Sequence, residues 1–313
     1  MLVLTNSSAG ARPRDKAVGD LVKCLQARGL KAEVITDLSL LGTLANRYHA
    51  EGRLRAVVAA GGDGTIAEIV NRTLPEVPVT IYPLGTANLL ASYFKIECDP
   101  LAVTRTVLEG AAVRLDAGQA NGRVFLLMAG CGFDADVVTR LHRTRGGRNI
   151  TYWTYAKPIL ESIPSYQYPD LRVYCDLTPS GESVAAPLSA RWAFVANLPC
   201  YAAGLQLAPG AVGTDGLLDV CTFGQGTVWH GLRYLSYVAL GRHQVLPDCQ
   251  IARTTRLRIE SDQSVPYQLD GDPGGFLPLD IEVLGERLTL LAPQAGVRAL
   301  GLEAPAESRA GAT

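Results

Sequence analysis

Short apolar runs alternate with helix-like patterns over the first 120 residues of the chain. The runs LVLT, AEVIT, AVVAA and VTIYPL have the length and the apolar content of buried strands. Apolar residues between and after them recur at helical spacing, which predicts helices near residues 14–28, 40–51, 65–73, 87–94 and 100–109. This alternation predicts an α/β domain over residues 1–120, with a parallel sheet and helices on both faces.

The strand–helix alternation ends at about residue 114, and beyond it candidate strands largely follow one another. These runs are RVFLLMAG, LRVYCDL, RWAFVANL, LLDVCTF, TRLRIES, VPYQLDG, LDIEVLG and RLTLLA. Asn-Gly, Ser-Gly and Asp-Gly pairs separate them, as they do in hairpins. We expect an antiparallel, sandwich-like β domain over residues 121–297, with helices near 150–163 and 227–240, and a flexible tail over 298–313.

The third apolar run ends in Gly61-Gly62-Asp63-Gly64-Thr65, which places three glycines around one carboxylate. Glycine lets backbone N–H groups turn toward a ligand, and a helix start adds further N–H groups and a positive dipole end. Thr65 and Glu68 fit a capping box, which predicts that the helix begins at Thr65. The turn then lies at the carboxyl end of a strand, where open α/β sheets bind ligands.

Asp63 is unusual beside a phosphate site, because its charge repels phosphate unless a cation lies between them. Mg²⁺ is the usual cation, held through carboxylate, water and phosphate oxygens. The other interpretation is an ordinary tight turn in which Asp63 caps backbone groups, and the turn alone does not decide between the two. The patterns G-x-x-x-x-G-K-[ST] and G-x-G-x-x-G, which mark other nucleotide-binding folds, are absent from the chain.

The composition indicates which classes of partner and which cellular compartment to expect. The formal net charge is −1, so no basic field indicates nucleic-acid binding. The seven cysteines are scattered without metal-ligand spacing, which indicates reduced thiols in a cytoplasmic protein. The long uncharged stretch Val77–Phe94 contains Pro78 and Pro83, so no transmembrane segment is predicted. We therefore expect any contact with a bilayer to be peripheral, at the inner membrane surface.

The chain resembles the soluble diacylglycerol kinases, a group that includes bacterial lipid kinases and, more distantly, sphingosine and ceramide kinases. The likeness spans roughly residues 1–295, and six motifs carry it in family order. They are Asn6-Ser7-Ser8-Ala9-Gly10, GGDGT from Gly61, PLGTANLLA from Pro83, LDAGQANGRVFLLMAGCGFDADV from Leu115, TDGLLDV from Thr214 and QLDGD from Gln268. Together, in order, they are far more specific than a single glycine turn.

The resemblance implies ATP as phosphoryl donor, Mg²⁺ as its metal and a lipid hydroxyl as acceptor, with the active site in the cleft between the two domains. Carried over by position, the nucleotide-binding residues are Asn6, Ser7, Ser8, Ala9, Gly10, Thr36, Gly61, Gly62, Asp63, Gly64, Thr65, Glu68, Gly85, Thr86 and Asn88. The first motif has Ser7 where the family has proline and Ala9 where it has serine. This departure implies a less rigid loop with one hydroxyl contact fewer.

The resemblance places the catalytic base in the LDGD turn, where Asp270 and Asp272 are both candidates. A positioned carboxylate can accept the proton of a lipid alcohol while the phosphoryl group transfers. Asp63 would help to hold Mg²⁺ and the phosphates from the other domain. By sequence alone Asp270-Gly271 is more simply a hairpin turn, and Asp272 stands where the family has glutamate, which is one methylene longer.

The stretch VGTDGLLDV resembles the second metal element of the family, in which an aspartate and backbone carbonyls hold a structural Mg²⁺. Asp215 would supply the carboxylate, and Val212 and Leu217 would supply the carbonyls. A plain β-turn is the other interpretation. Basic residues also concentrate in RLHRTRGGRN, at residues 140–149, which suits ATP phosphates, anionic lipid headgroups or a solvated face equally.

Three functions are compatible with these observations, and an ATP-dependent lipid kinase is favoured. Its acceptor could be diacylglycerol, monoacylglycerol, a sphingoid base, phosphatidylglycerol or an undecaprenol-like alcohol. A non-catalytic nucleotide- or lipid-binding regulator of the same fold is the alternative that the altered DGD and first motifs allow. An NAD kinase-like enzyme shares GGDGT and the two-domain plan, but its Thr/Gly/Ser-rich substrate motif is not found. The oligomeric state stays open, a homodimer included.

Overall fold

The computed structural model describes residues 1–5, 11–144, 166–176, 186–201 and 204–302. The chain divides into two compact units, the first built from Met1–Leu115 and Glu286–Thr313 and the second from Asp116–Gly285. The chain thus returns to the first unit at residue 286, whereas the sequence pattern placed residues 121–297 together. The helix predicted near 150–163 and most of the predicted tail lie outside the described residues.

The first unit is a parallel sheet with helices on both faces, as the strand–helix alternation predicts. Its strands are β1 Leu2–Thr5, β2 Glu33–Ile35, β3 Val57–Gly61 and β4 Pro78–Pro83. They lie in the order β2-β1-β3-β4, and every neighbouring pair is parallel. The helices between and after them are α1 Ala11–Ala27, α2 Leu38–Ala50, α3 Asp63–Val70, α4 Leu89–Tyr93 and α5 Pro100–Glu109.

Burial on both sides of this sheet explains its apolar strands. The core that the strands share with α1 and α5 consists of Val3, Val18, Leu21, Leu25, Val58, Ala60, Tyr82, Val103 and Val107. The alternate strand residues, such as Leu2, Val57 and Ala59, are buried as well. Parallel strands that are covered on both faces have near-continuous apolar sequences rather than alternating ones.

The second unit is an antiparallel β sandwich, which confirms the predicted architecture. One layer contains, in spatial order, β12 Cys249–Thr254, β11 Leu218–Phe223, β10 Trp192–Ala196, β7 Met128–Cys131, β14 Pro266–Leu269 and β15 Asp272–Phe276. The other contains the first half of β16 Leu279–Ala292, β13 Arg256–Glu260, β8 Leu171–Cys175 and β9 Leu188–Ala190, with β5 Ala111–Ala120 and β6 Arg123–Phe125 attached.

The two layers bury one apolar core between them. Its members include Ala129, Val195, Leu218 and Val220 from the first layer and Leu171, Val173, Leu257, Ile259 and Ile281 from the second. The other face of the six-stranded layer packs against α6 Phe133–Thr144 and α7 Val228–Ala239 through an aromatic-rich cluster. The helix predicted near residues 227–240 is therefore confirmed as α7.

Strand β16 connects the two units along the chain. Its first residues, Leu279–Glu282, pair antiparallel with β13 in the second unit. Its later residues Thr289 and Leu290 pair in parallel with β4 in the first unit, and α8 Gln294–Ala299 follows. The order of patterns along the sequence does not reveal this return. Within the described ranges, no helix combines the length and the apolar composition that a membrane span requires.

Candidate functional site

Two glycine-bearing loops of the first unit, after β3 and after β4, lie against each other. The Leu84 N–H donates to the Gly61 carbonyl over 3.0 Å. A Cβ atom on Gly85 would lie 2.5 Å from the Cα of Gly62, and one on Gly62 would lie 3.2 Å from the Cα of Gly85. The approach therefore requires glycine at position 85 and leaves little room for a side chain at position 62.

Asn88 fixes the second loop from within. Its backbone is left-handed, with φ 49°, just before α4 begins, a conformation that asparagine tolerates better than most residues. Its Oδ1 accepts from the Gly85 N–H at 3.0 Å, and its Nδ2 donates to the carbonyls of Pro83 and Gly85 at 3.2 and 2.9 Å. These three bonds hold the loop in shape without any ligand.

Asp63 joins the two loops through both of its carboxylate oxygens. Oδ2 accepts from the Leu89 N–H at 2.9 Å and Oδ1 from the Leu90 N–H at 3.0 Å. These residues begin α4, where backbone N–H groups have no partner inside the helix. Burial raises the pKa of the Asp63 carboxyl, and the N–H groups of Leu90 and Leu89 oppose that rise. Asp63 thus caps a neighbouring helix, as the tight-turn interpretation allows.

Helix α3 begins at Asp63, so the predicted start at Thr65 is wrong. The N-cap residue is Gly62, which is extended and makes no side-chain cap bond. The Thr65 N–H donates to the Gly62 carbonyl at 2.9 Å, and Glu68 forms an ion pair with Arg72 instead of closing a capping box. The earlier start places the Asp63 side chain in the first helical turn, where it reaches α4.

The predicted nucleotide-binding loops in the described part of the chain follow strands of the parallel sheet at their carboxyl ends. Thr36 follows β2, Gly61–Thr65 connects β3 to α3, and Gly85–Asn88 connects β4 to α4. Asn6–Gly10, which follows β1, lies outside the described residues. In the strand order β2-β1-β3-β4, the connection from β1 runs toward β2, whereas the connection from β3 runs toward β4 in the opposite direction. Ligands bind at such switch points in open α/β sheets.

In the second unit, Asp270 is anchored in the turn between β14 and β15. Its backbone is left-handed, with φ 51°. Its carboxylate accepts three backbone N–H groups, from Leu126 at 2.7 Å, Leu127 at 2.8 Å and Met128 at 3.0 Å. Its own N–H donates to the Met128 carbonyl at 2.9 Å. These bonds fix the turn against the segment that leads into β7.

Asp272, the second candidate base, lies two residues further on and begins β15. Its side chain is 36% exposed, and its Oδ2 lies 4.0 Å from Nη2 of Arg123. At that distance Arg123 contributes attraction rather than a hydrogen bond. The turn therefore offers one anchored carboxylate, Asp270, and one accessible carboxylate, Asp272.

A partly buried carboxylate that the sequence reasoning missed, Asp134, supports the same turn. It accepts from the Tyr201 hydroxyl and from Nε2 of Gln268, the latter at 2.9 Å. The Oε1 of Gln268 accepts from the Gly271 N–H at 2.7 Å, between the two candidate bases. Burial raises the pKa of Asp134, and the bonds from Tyr201 and Gln268 oppose the rise. This chain of hydrogen bonds fixes the position of Gly271.

Two of the three groups predicted to bind Mg²⁺, the Val212 carbonyl and the Asp215 carboxylate, accept hydrogen bonds within their own turn. The Val212 carbonyl accepts from the N–H groups of Thr214 and Asp215, at 2.7 and 3.3 Å. The Asp215 Oδ1 accepts from the Leu217 N–H at 3.1 Å, and its Oδ2 lies 3.9 Å from Nη1 of Arg253. The local arrangement is a β-turn beside a guanidinium group.

The donors around this turn nevertheless have the chemistry that Mg²⁺ prefers, since all are oxygens. The Oδ2 atom of Asp219 is buried without a hydrogen-bond partner among the described residues, and burial raises the pKa of Asp219 against the opposing charge of Arg253. Asp116 lies here too, because its Oδ2 accepts from the Gly216 N–H at 2.8 Å. Across the described ranges, however, no three His, Cys, Asp or Glu side chains are arranged to hold a metal ion.

The basic stretch at residues 140–149 is only partly described. Arg140 pairs with Asp136, four residues earlier, at 2.6 Å. Residues 145–149 lie outside the described residues, as do the side-chain environments of 143 and 144. The described part of this stretch shows an ordinary helical ion pair.

Two protein-family models match the chain, one for each kind of architecture. Residues 1–120 match the diacylglycerol kinase catalytic domain. Residues 128–292 match the YegS C-terminal NAD kinase beta sandwich-like domain. The first match ends within β5 and the second begins at β7, so the two together take in the parallel sheet and the sandwich.

Curated relatives extend the likeness over nearly the whole chain. A protein of Bacillus subtilis (strain 168) named diacylglycerol kinase is 26% identical over 304 residues, which cover 93% of this chain and 96% of the relative. A protein of the same name from Mycobacterium tuberculosis (strain ATCC 25618 / H37Rv) is 27% identical over 302 residues, covering 94% and 95%. The crystal structure of a diacylglycerol kinase from Bacillus anthracis str. Sterne has the same fold, with a TM-score of 0.68 and 19% identity over 94% of this chain and 97% of that one.

Proposed function

Because the chain belongs to the bacterial diacylglycerol kinase and lipid kinase family, we propose that it transfers the γ-phosphoryl group of ATP to the hydroxyl of a lipid alcohol. Diacylglycerol is the acceptor that the names of its relatives suggest. The observation that carries the proposal is the pair of loops locked together by Gly62, Gly85 and Asp63 at the carboxyl edge of a parallel sheet. Phosphoryl transfer depends mainly on positioning and on charge stabilisation, which a preformed loop pair can supply.

In this proposal the nucleotide phosphates bind at the start of α3. Its first N–H groups and its dipole favour an anion there, and Gly62 and Gly64 carry no side chain that blocks approach. Asp63 is compatible with nearby phosphate because the Leu89 and Leu90 N–H groups already offset its charge. The remaining contacts would come from Thr65 of α3 and from the loops after β1, β2 and β4, through Asn6, Ser7, Ser8, Ala9, Gly10, Thr36, Gly85 and Thr86.

Mg²⁺ is part of the proposal in two places. Bound with ATP, it would neutralise the charge of the phosphates, which is the chemistry that this ion supplies in phosphoryl transfer. In the second unit, Asp215, Val212 and Leu217 would hold a structural ion, with Asp219 beside them. No step of the transfer is assigned to that second ion, because the Val212 carbonyl and the Asp215 carboxylate already have partners within the turn and beside Arg253.

For the proton of the lipid hydroxyl, the geometry favours Asp272 over Asp270 as the acceptor. Three backbone N–H groups donate to the oxygens of Asp270, so its task is to fix the turn. Asp272 is accessible, and the Asp134–Gln268 pair holds Gly271 beside it. As Asp272 takes the proton, the hydroxyl oxygen bonds to the γ-phosphorus and the bond from that phosphorus to ADP breaks.

The site of action follows from the substrates in this proposal. Diacylglycerol resides in a bilayer and ATP in the cytoplasm, so the reaction would take place at the inner membrane surface. The sequence-based expectation that both substrates meet in a cleft between the domains stays a prediction. So does a homodimer.

The deciding experiment gives the purified protein γ-labelled ATP, Mg²⁺ and either diacylglycerol in mixed micelles or NAD. Label in the lipid phase supports the proposal. Label on NAD would make the chain an NAD kinase-like enzyme, and ATP binding with no transfer to any acceptor would make it a non-catalytic regulator. Asp272→Asn tests the chemistry, and Asp262→Asn is the matched control, because Asp262 is 83% exposed and pairs only at the surface with Arg172.

A further inference from the structure

Helix α7 and the turn after it present a row of apolar side chains to solvent. Trp229 is 80% exposed, Leu232 39%, Leu240 70% and Val245 72%. Large apolar residues exposed singly are common, but four in seventeen successive residues form a patch that calls for a partner. Together with Arg233 and Arg242, which are also exposed, these four residues are called the α7 surface.

The helix that carries this surface is firmly held on its other side. Tyr234 and Val238 are buried in the aromatic cluster that also contains Phe223. The Tyr234 ring lies 4.5 Å from the Phe223 ring, centroid to centroid, and its hydroxyl binds Asp248. Thr227 caps the first turn by accepting from the His230 N–H. The exposure of Trp229 is therefore a property of an ordered, amphipathic helix and not of a frayed end.

The Asp, Glu, Lys and Arg side chains of the segment that carries the α7 surface are all arginines. Residues 220–247 contain no Asp or Glu, although the chain as a whole has 30 acidic residues among 313. Arg233 and Arg242 lie in this stretch, and the guanidinium of Arg233 lies 5.8 Å from the centre of the Tyr237 ring. Asp248, the next residue, is engaged by the Tyr234 hydroxyl on the inner side of the helix. An apolar row flanked by arginines complements a surface that is both apolar and negatively charged.

A bilayer with anionic headgroups has that combination. Tryptophan and leucine enter the boundary between headgroups and acyl chains, while arginine stays with the phosphates. A second copy of the chain fits less well, because a two-fold interface buries the same patch of both copies. Arg233 and Arg242 of both copies would then lie in one interface, without a carboxylate from residues 220–247 to pair with them.

We propose that the α7 surface docks the protein on anionic phospholipid membranes, with Trp229 inserted at the headgroup boundary and Arg233 and Arg242 bound to lipid phosphates. This proposal rests on the proposed lipid kinase function, because docking matters only if the acceptor lies in a bilayer. It adds a dedicated membrane-contact element, separate from the loops and the turn assigned to nucleotide and base.

The test measures binding of the full-length protein to sedimented vesicles of phosphatidylcholine alone or of phosphatidylcholine and phosphatidylglycerol in equal parts. Wild type should bind the anionic vesicles and release them at high salt. Trp229→Ala should weaken this binding by roughly tenfold. The double variant Arg233→Gln/Arg242→Gln should weaken it by about 25-fold, from about fivefold for each arginine.

The matched controls are Leu101→Ala, which removes a residue 59% exposed in the first unit, and Arg172→Gln, which removes an exposed arginine paired with Asp262. Both should bind as wild type.

A second readout separates docking from catalysis. On a short-chain diacylglycerol dissolved as monomers, the α7 variants should keep the wild-type kcat, whereas on diacylglycerol within anionic vesicles their rate should fall in step with binding. Vesicle binding unchanged in all α7 variants would overturn the proposal. So would conversion of a dimer to a monomer by Trp229→Ala with vesicle binding unaltered, because the surface would then serve a second copy. Wild type that docks through α7 but phosphorylates no lipid would retain the docking and reject the kinase function.

Discussion

Gly62 and Gly85, which belong to separate strand–helix connections, meet through their backbones. A methyl group on Gly85 would lie 2.5 Å from the Cα of Gly62 and 2.6 Å from Oδ1 of Asn88. Neither neighbour can yield easily, since one is backbone and the other is fixed by hydrogen bonds to the same loop. The shape of each loop therefore depends on the other.

Gly85→Ala is expected to destabilise the protein by about 1–3 kcal/mol, the range for overpacking a well-packed site, and to weaken ATP binding. Urea unfolding and calorimetric titration with ATP measure the two effects. The matched control is Gly19→Ala in α1, where an added Cβ meets nothing within 4 Å and alanine favours the helix. Equal stability and ATP affinity in Gly85→Ala and wild type would contradict the interlocked loops.

Asp63→Asn is expected to release the start of α4 and to reduce turnover sharply while the protein stays folded. An amide has one acceptor oxygen, so either the Leu89 or the Leu90 N–H would face an NH₂ group, at a cost of about 1–3 kcal/mol. Asp99→Asn is the control, because Asp99 caps α5 with a single oxygen and asparagine keeps such a cap. The assignment fails if Asp63→Asn retains the wild-type kcat.

Asp270→Asn and Asp272→Asn are expected to distinguish the residue that stabilises the turn from the residue that accepts the proton. Asp272→Asn should leave stability and ATP binding intact and lower kcat by a factor on the order of 10²–10⁴, the usual contribution of a general base. The main effect of Asp270→Asn should be a lower free energy of unfolding, because three backbone N–H groups donate to its carboxylate. Unfolding curves and single-turnover rates decide the matter. Full stability with abolished transfer in Asp270→Asn would instead make Asp270 the base.

Asp134→Asn is expected to flatten the pH dependence of stability. Burial raises the pKa of Asp134 above the value of 3.8 for a free aspartate, so the folded protein keeps a proton that the unfolded chain has already lost. The contribution of this group to the free energy of unfolding is therefore full below pH 3.8 and falls as pH rises through the folded pKa. The asparagine variant lacks this fall, which urea unfolding at a series of pH values measures.

In the control for this pH experiment, Asp262, the pKa shift has the opposite sign. Arg172 lowers the pKa of Asp262 through a hydrogen bond and its charge, so Asp262 loses its stabilising contribution as pH falls. Asp262→Asn should leave the decline of stability above pH 3.8 in place, since Asp134 is untouched. A slope in Asp134→Asn equal to that of wild type would show that Asp134 gives up its proton as easily in the folded protein as in the unfolded chain.

Local signals predicted the helices of the first unit well. Helix α5 spans Pro100–Glu109 as expected, because Asp99 caps it and Pro100 suits the first helical position. Helix α2 begins two residues before the predicted Leu40, since Asp37 accepts from backbone N–H groups of its first turn. The start of α3 was predicted wrongly, because a glycine cap leaves no side-chain signal for the sequence to show.

The support of the Asp270 turn could not be predicted in the same way. Asp134 meets Tyr201 and Gln268, which are 67 and 134 residues away along the chain, so only the folded sandwich brings them together. One signal was present: Asp134 lies between Phe133 and Ala135, both buried, and a carboxylate within an apolar stretch requires polar partners. That signal indicates a buried network but does not identify its other members.

Strand β16 also bears on how the protein is made. The strands of the first unit up to β4 emerge early during synthesis, but the free edge of β4 is covered only when Thr289 and Leu290 have also emerged. The chain must therefore be synthesised as far as residue 290 before the first unit can complete its sheet. Until then β4 is an open edge of the kind that pairs with foreign strands. A nascent chain stalled before residue 286 should accordingly depend on chaperones, however well its first 115 residues have folded.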